Sequence, residues 1–334
     1  MTEVAEPLRW AVVGASWIAA DRVIPALRAT GQSVAALVSS DAAHGAAYAA
    51  EHGIPRVVSS IDALADGEVD AVYIGTSNER HRAASEAAAA RGLHVLLEKP
   101  MADRLDDARA IVAACAAAGV VLAVDHHLVA SAAFRIVREL VADGAIGELR
   151  AVRVEHAKLL PEFLRTWRIG DGPGAGVVAD LTPHDASLVD ALLAPRRPLE
   201  VSALAVRQGG WGGGAPDAVA SVVRYEGEVL VTLHDGFTTP HAASGVEVLG
   251  TEGSIWAEEL LAQDPVARVV LRDAAGEREV PVAGVDLYEA TVGAFVDAVR
   301  GRGRAFVDGG AGLRAAELAF AVQRSIEEGQ VIRP

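Results

Sequence analysis

VVGASWIAADRV, residues 12–23, decides how the N-terminal part of the chain is read. A strand-length apolar run, Trp10–Val13, ends on Gly14, as a strand does where it turns under a bound pyrophosphate. A full G-x-G-x-x-G fingerprint starting at Gly14 needs glycines at 16 and 19, but the chain has Ser16 and Ala19, with Trp17 and Ile18 between them. Gly14 still permits a tight turn, and Ser16 and Ala19 are small enough for a backbone to approach phosphate. The stretch alone leaves two readings open: a nucleotide-binding turn or an ordinary strand-to-helix corner.

The surrounding sequence favours the first. Apolar runs recur at Val34–Val38, Val69–Ile74, His94–Leu97 and Val120–Val124, with a weaker one at Arg56–Val58. Between them lie Ala-rich helical segments at 41–51, 79–91 and 104–118, and Pro25 divides or kinks the first helical segment. Strands that are apolar throughout and alternate with helices predict a doubly wound parallel sheet covered on both faces. The pattern changes near residue 148. Alternating segments follow at Leu149–Lys158, Leu199–Arg207, Val219–Tyr225, Val229–Asp235 and Gly245–Leu249. Arg268–Arg272 and Glu277–Val282 flank DAAGE, a hairpin turn. These predict a second, mostly antiparallel sheet, and helices near 286–300 and 311–328 close the chain. The α/β chain divides into residues 1–125 and 126–334, with the final helices free to return to the first domain. The glycine-rich 208–217 reads as a loop, with Trp211 as a lid or a surface anchor.

Composition bounds the function. With 334 residues, 51% of them hydrophobic, and a mean hydropathy of +0.26, the chain is long enough for two cores. The net charge of −15 opposes nucleic acid and anionic membrane as partners. No apolar run reaches membrane-span length, and MTEVAEPLRW has no targeting character, so a cytoplasmic location is expected. The single cysteine, Cys115, excludes an internal disulfide and reads as a buried structural thiol.

Ligands of an open parallel sheet bind beyond the carboxyl ends of its strands. There the chain places Gly14-Ala15-Ser16-Trp17, Ser39-Ser40, Thr76-Ser77-Asn78-Glu79-Arg80-His81, Glu98-Lys99-Pro100 and Asp125-His126-His127. Each could be a helix cap; together they read as a site. The second strand ends in Ser39-Ser40 rather than an acid, and Asp41 is placed to begin the next helix. Without an acid to repel it, a 2′-phosphate can be met by the two hydroxyls and His44, although no arginine stands at this turn. Lys99 ends an apolar strand and reads as a cation beside a substrate oxygen.

A second cluster lies in GPGAGVVADLTPHDASLVDALL, residues 172–193. Asp180 and His184, four apart, fall on one side of a helix or straddle a helix start, because Thr182-Pro183-His184-Asp185 resembles an N-cap with proline in the first turn. A carboxylate orienting an imidazole makes a proton relay; a capped helix with a surface histidine is the alternative. His126 and His127, adjacent in a strand, would face opposite sides and could not chelate together. No zinc, nucleophile-elbow or P-loop motif is present, so no metal site is assigned.

DAVYIGTSNERH, GLHVLLEKPMA, GAIGELRAVRV and GAGVVADLTPHD together resemble the Gfo/Idh/MocA family of NAD(P)-dependent oxidoreductases along nearly the whole chain. GAS-x-IA, HHL, LP-x-x-L-x-x-WR, HD-x-FTT, GTEGS and LYE are similar to a subgroup of bacterial keto-sugar reductases. The resemblance implies a Rossmann domain followed by an α/β domain with a large, mostly antiparallel sheet. It implies hydride transfer between nicotinamide and a sugar-like carbonyl or alcohol; NAD-linked inositol or sugar dehydrogenases and non-catalytic sugar sensors are the alternatives. It places Lys99, Asp180 and His184 on catalytic positions, His184 as proton donor. It places Ala15, Ser16, Trp17, Ile18, Ser39, Ser40, Thr76, Asn78, His81 and Glu98 on cofactor positions, with Trp167, Arg168 and Tyr288 nearby; Gly14, His44, Ser77, Lys99 and Asp125 join them as candidates.

Three departures from the subgroup stand out: His44 for arginine, Asp125 for asparagine, which would add charge near the nicotinamide, and Val129 for arginine. The missing arginine weakens the NADP preference and leaves dual use open; NADP(H) stays favoured over NAD(H) because β2 ends without an acid, and the Ala19 methyl is expected to tilt the cofactor toward NADP. The implied partners are a small sugar-like substrate and, in family members that assemble, a second copy bound through the C-terminal sheet; monomers also occur.

Overall fold

A computed structural model describes residues 6–172, 174–263 and 268–334. Half of the N-terminal stretch read as lacking a targeting address, residues 1–5, lies outside the described residues. The chain divides into two compact units, Met1–Asp125 with Tyr288–Leu313 and His126–Leu287 with Arg314–Pro334.

The first unit holds six parallel strands: β1 (Arg9–Val13), β2 (Ser33–Val38), β3 (Val57–Val58), β4 (Ala71–Ile74), β5 (His94–Leu97) and β6 (Leu122–Val124). Their spatial order is β3-β2-β1-β4-β5-β6. Ala11, Val12, Val72, Tyr73, Leu96 and Leu97 are all buried, consecutive residues included, so both faces are covered and the strands read as unbroken apolar runs. The order reverses between β1 and β4, and such a switch point opens a crevice at the strands' carboxyl ends.

Four helices connect the strands: α1 (Ile24–Ala29), α2 (Ala42–Glu51), α3 (His81–Ala90) and α4 (Leu105–Ala118). Residues Ala19–Val23 form one wide helical turn before α1, and Pro25 in the first turn of α1 marks the division. The Asp41 carboxylate accepts from the His44 amide at 2.9 Å and opens α2, as its place after β2 leads one to expect. Gly119, at φ +68°, closes α4.

The second unit is built on eight strands: β7 (Leu149–Ala157), β8 (Pro198–Val206), β9 (Ala218–Tyr225), β10 (Val229–Gly236), β11 (Gly245–Gly250), β12 (Gly253–Glu258), β13 (Arg268–Asp273) and β14 (Gly276–Val280). They lie in the order β14-β13-β12-β11-β7-β10-β9-β8, antiparallel except for the parallel pair β7 and β10. The helices of this unit are α5 (Ala132–Ala142), α6 (Val177–Asp180) and α7 (Thr182–Leu193). Odd-numbered residues of β9 and β10, such as Val219, Val223, Val231 and Leu233, are buried on the side that meets α6 and α7, while Val222 and Leu230 are exposed on the other.

The DAAGE turn joins β13 to β14, with Asp273 opposite Gly276. Sequence patterning did not single out β12 or α5. β12 buries only Ile255 and Ala257, while α5 carries Phe134, Val137 and Val141 at helical spacing, a periodicity present in the sequence.

Two last helices follow, α8 (Leu287–Val299) and α9 (Gly309–Glu328). In the first unit, Phe295 of α8 meets Trp10 of β1 with ring centroids 5.1 Å apart. Gly309 and Gly312 let the start of α9 lie against Leu122 and Val124, which a Cβ there would strike. In the second unit, Ser325 of α9 accepts from the Ala203 amide at 3.0 Å.

Candidate active site

Gly14 follows β1 with φ +98°, and a Cβ there would lie 3.0 Å from the Gly75 carbonyl oxygen. Glycine is therefore required twice over, by conformation and by the close approach of the β4 turn at the switch point. Ser16 Oγ accepts from the Ala19 amide at 3.3 Å, and the Ser16 carbonyl accepts from the Tyr48 hydroxyl at 3.0 Å, which braces the turn. Ala15, Ser16 and Ile18 are partly accessible and Trp17 is exposed. Ala19 is fully buried, so its methyl fills the interior and is not presented to a ligand. That corrects the expectation that this methyl tilts a cofactor.

At the end of β2, Ser39 Oγ donates to the Asp41 carbonyl at 3.0 Å, and the His44 side chain is exposed. Arg80 Nη1 lies 3.4 Å from Ser40 Oγ. An arginine therefore does stand at this turn, although it arrives from the loop after β4. Local sequence held no signal for it, because Arg80 and Ser40 are forty positions apart.

The loop after β4 is internally braced. Thr76 Oγ1 donates to the Ser77 carbonyl, Ser77 Oγ to Glu79 at 2.6 Å, and Asn78 Nδ2 to Asp103 at 3.0 Å. His81 is fully buried, with Nε2 3.1 Å from the Thr76 carbonyl and Nδ1 3.0 Å from the Pro100 carbonyl. It ties this loop to the one after β5 and offers no surface to a ligand, which corrects its place among the cofactor contacts. Burial lowers the His81 pKa, so the ring is held neutral.

After β5, Glu98 Oε2 accepts from the Lys99 amide at 2.9 Å, and the Lys99–Pro100 peptide is cis. Asp125, at the end of β6, is 1% exposed. Burial first, and then the Glu98 carboxylate, push its carboxyl well above the usual range; Lys99 opposes them and does not prevail. Burial beside Glu98 therefore favours the protonated form of Asp125 over the charged form expected from the sequence. Tyr288 is buried, and burial followed by the Asp125 and Glu98 carboxylates raises its hydroxyl pKa far above the ordinary value.

Trp167, Arg168, Asp180 and His184 belong to the second unit. Arg168 lies over the Trp167 ring at 4.5 Å, and its Nε donates to Asp180 Oδ2 at 2.9 Å. Asp180 ends α6 and His184 sits in the first turn of α7, so the pair straddles a helix start. Thr182 does not cap α7; its hydroxyl donates to Asp235 at 2.5 Å.

Gly176, at φ +94°, admits α6 beside Ala215 and Pro216. The 208–217 loop is tied down: Asp217 accepts from the Gln208 and Gly209 amides at 2.7 Å each, and Arg165 lies 4.7 Å over the Trp211 ring.

His184 is buried among imidazoles. The His126 and His127 rings meet it edge-on at 5.5 and 5.1 Å, and His156 lies at 6.5 Å. The expectation that His126 and His127 diverge is corrected: β6 ends at Val124, the chain turns, and both rings reach His184. Among the described residues, His156, Asp185 and Asp235 are the group whose donor atoms come within 4.8 Å of one another, as a metal site requires. His156 Nδ1 pairs with Asp185 Oδ1 and Asp235 Oδ2 accepts from Thr182, while Asp185 Oδ2 and Asp235 Oδ1 have no hydrogen-bond partner among the described residues. The Cys115 thiol is buried and its pKa is pushed up to about 11 by burial, so it is inert.

The glycine cradle at Gly14 and the polar groups after β2 and β4 suit a bound dinucleotide. Residues 8–126 match an oxidoreductase family with an NAD-binding Rossmann fold, and residues 134–256 match the GFO/IDH/MocA C-terminal domain. The 1,5-anhydro-D-fructose reductase of Ensifer adhaerens is 43% identical over 96% of this chain and 97% of its own. The chain belongs to the Gfo/Idh/MocA oxidoreductase family. The dTDP-3,4-didehydro-2,6-dideoxy-alpha-D-glucose 3-reductase of Streptomyces violaceoruber is 31% identical over 97% of each chain. The aldose-aldose oxidoreductase of Caulobacter crescentus, solved with glycerol, shares the fold with a TM-score of 0.87 at 23% identity, covering 98% of this chain and 100% of that one.

Proposed function

We propose that this oxidoreductase reduces 1,5-anhydro-D-fructose or a closely related keto sugar, with NADPH preferred over NADH. The 43% identity over 96% of the chain to a reductase of that name carries the reading. When bound, the nicotinamide supplies hydride at its C4. Lys99 places a cation at the substrate oxygen and stabilises the negative charge that develops there. His184 gives that oxygen a proton from a ring nitrogen, so no free alkoxide accumulates. Arg168 holds Asp180 through its 2.9 Å hydrogen bond, which fixes the carboxylate that orients substrate and imidazole.

The preference for NADPH is supported by two hydroxyls, Ser39 and Ser40, with His44 and Arg80 at a strand end that lacks an acid. Gly14 through Ile18, Thr76 through Asn78, Glu98, Asp125, Trp167 and Tyr288 complete the cofactor set in this reading. The protein works in the cytoplasm on a small molecule. A second copy, where one binds, docks on the outer face of the second sheet, where Leu204, Val222 and Leu230 are exposed.

Lys99→Ala and His184→Ala test the assignment. Each is expected to lose about a hundredfold or more in kcat, while NADPH still quenches tryptophan fluorescence. Near-wild-type rates in both would show that the chemistry lies elsewhere.

A further inference from the structure

Four side chains next to His184 are not used by the reaction as derived. Thr182 and Asp185 share the first turn of α7 with His184 and, three apart, fall on one side of it. Both reach the second sheet. The Thr182 hydroxyl donates to Asp235 Oδ2 on β10 at 2.5 Å, and Asp185 Oδ1 lies 2.7 Å from His156 Nδ1 on β7. β7 and β10 run parallel with His156 and Asp235 as register partners, so the two sheet residues are neighbours on adjacent strands. Thr182, Asp185 and Asp235 are fully buried and His156 is 2% exposed. Asp185 Oδ2 and Asp235 Oδ1 have no further hydrogen-bond partner among the described residues. Two carboxyl groups this close in a dry interior cannot both ionise.

We propose that Thr182, Asp185, His156 and Asp235 form a clamp that positions His184, and that the two aspartates hold one proton between them which keeps the clamp closed. The proposal rests on the reading of His184 as proton donor and names the residues that place it. They are positioning residues: they act through the first turn of α7 and through the His156 ring, whose centroid is 6.5 Å from that of His184.

In the closed clamp Asp235 is the protonated acid and donates to the Asp185 carboxylate, while the other Asp185 oxygen accepts from His156 Nδ1–H. Burial pushes the Asp185 carboxyl up to about 7, and burial together with Asp185 pushes Asp235 well above the carboxylate range. Lys158, just after β7, favours ionised Asp185, and Glu155 on β7 opposes it. From β10 the clamp meets Asp235, whose ionised form the Thr182 hydroxyl and His156 favour. His184 itself faces His126 and His127, and α6 brings the Arg168–Asp180 ion pair against α7. When the shared proton leaves at alkaline pH, two carboxylates repel across the clamp and the turn carrying His184 is released.

The test uses the whole protein with carbon-labelled histidine and follows the His184 ring resonance, identified by its loss in His184→Asn, against pH. In the wild type it is expected to show an alkaline inflection that coincides with an alkaline fall in kcat. In Asp235→Asn, whose amide cannot lose a proton, both should vanish, while kcat at neutral pH stays within about threefold. Asp185→Asn should lower kcat about tenfold or more by misplacing the imidazole, with KM for NADPH unchanged.

Thr182→Val removes the hydroxyl that favours ionised Asp235, so it should move the inflection to higher pH; this variant decides the matter if Asp235→Asn does not fold. Persistence of the wild-type inflection in Asp235→Asn, or an inflection that stays put or moves down in Thr182→Val, overturns the proposal. So does one equivalent of divalent metal in the purified protein that Asp235→Asn lacks, because a metal would then hold the clamp. Should no keto sugar turn over while the resonance behaves as described, the clamp stands and the reductase reading fails.

Discussion

Asp125 is an acid at a strand end whose carboxyl is pushed toward its protonated form by burial beside Glu98. A protonated aspartate and an asparagine then present the same shape and the same pair of donor and acceptor. Asp125→Asn is accordingly expected to leave kcat within about threefold and sugar preference unchanged near neutral pH, measured side by side with the wild type. Arg80 belongs to the same scale. It stands by Ser40 and is the guanidinium available to a 2′-phosphate, so Arg80→Ala should raise KM for NADPH about tenfold and leave KM for NADH nearly unchanged. His44→Arg should act in the opposite direction on NADPH.

Some of this was legible in the sequence and some was not. Asp41 as a helix cap needed only its neighbours to be read. The partnership of Arg80 with Ser40, and of Thr182 with Asp235, depends on which strands lie side by side, which local spacing does not encode.

At the scale of elements, the first sheet was readable because a parallel strand covered on both faces must be apolar throughout. Its carboxyl ends line up from the sequence alone, since parallel strands share one edge. The turn after β1 is the most constrained of these ends. Gly14→Ala combines a left-handed backbone with a Cβ 3.0 Å from the Gly75 oxygen, and should destabilise the protein by about 1–3 kcal/mol while weakening NADPH binding. Thermal melting and a fluorescence titration check both parts. The second unit was less legible. The short strand β12 offers only Ile255 and Ala257 as buried positions, and His126 and His127 were misread because β6 stops three residues earlier than a continuous strand would.

For the whole molecule, the buried aspartates set a pH dependence of stability. Asp185 has its pKa raised from an ordinary 3.8 to about 7, and Asp235 is raised as well. Below the ordinary value the folded and unfolded chains are both protonated and the contribution to stability is fully present. It is lost as pH climbs from the ordinary value through the folded one, because the unfolded chain ionises first. The melting temperature should therefore fall as pH rises from about 4 through about 7, and Asp235→Asn should lessen that fall.

At this scale the net charge of −15 opposes nucleic acid and anionic membrane as partners, and no helix among the described residues is long and apolar enough to cross a membrane. It said nothing of which sugar is reduced.

That choice is the central claim, and one measurement reaches it most directly: initial rates with a panel of keto sugars and polyols, each assayed with NADPH and with NADH. The account predicts that 1,5-anhydro-D-fructose consumes NADPH with the highest kcat/KM of the panel and uses NADH less well. Binding of NADPH without turnover of any sugar in the panel would contradict it.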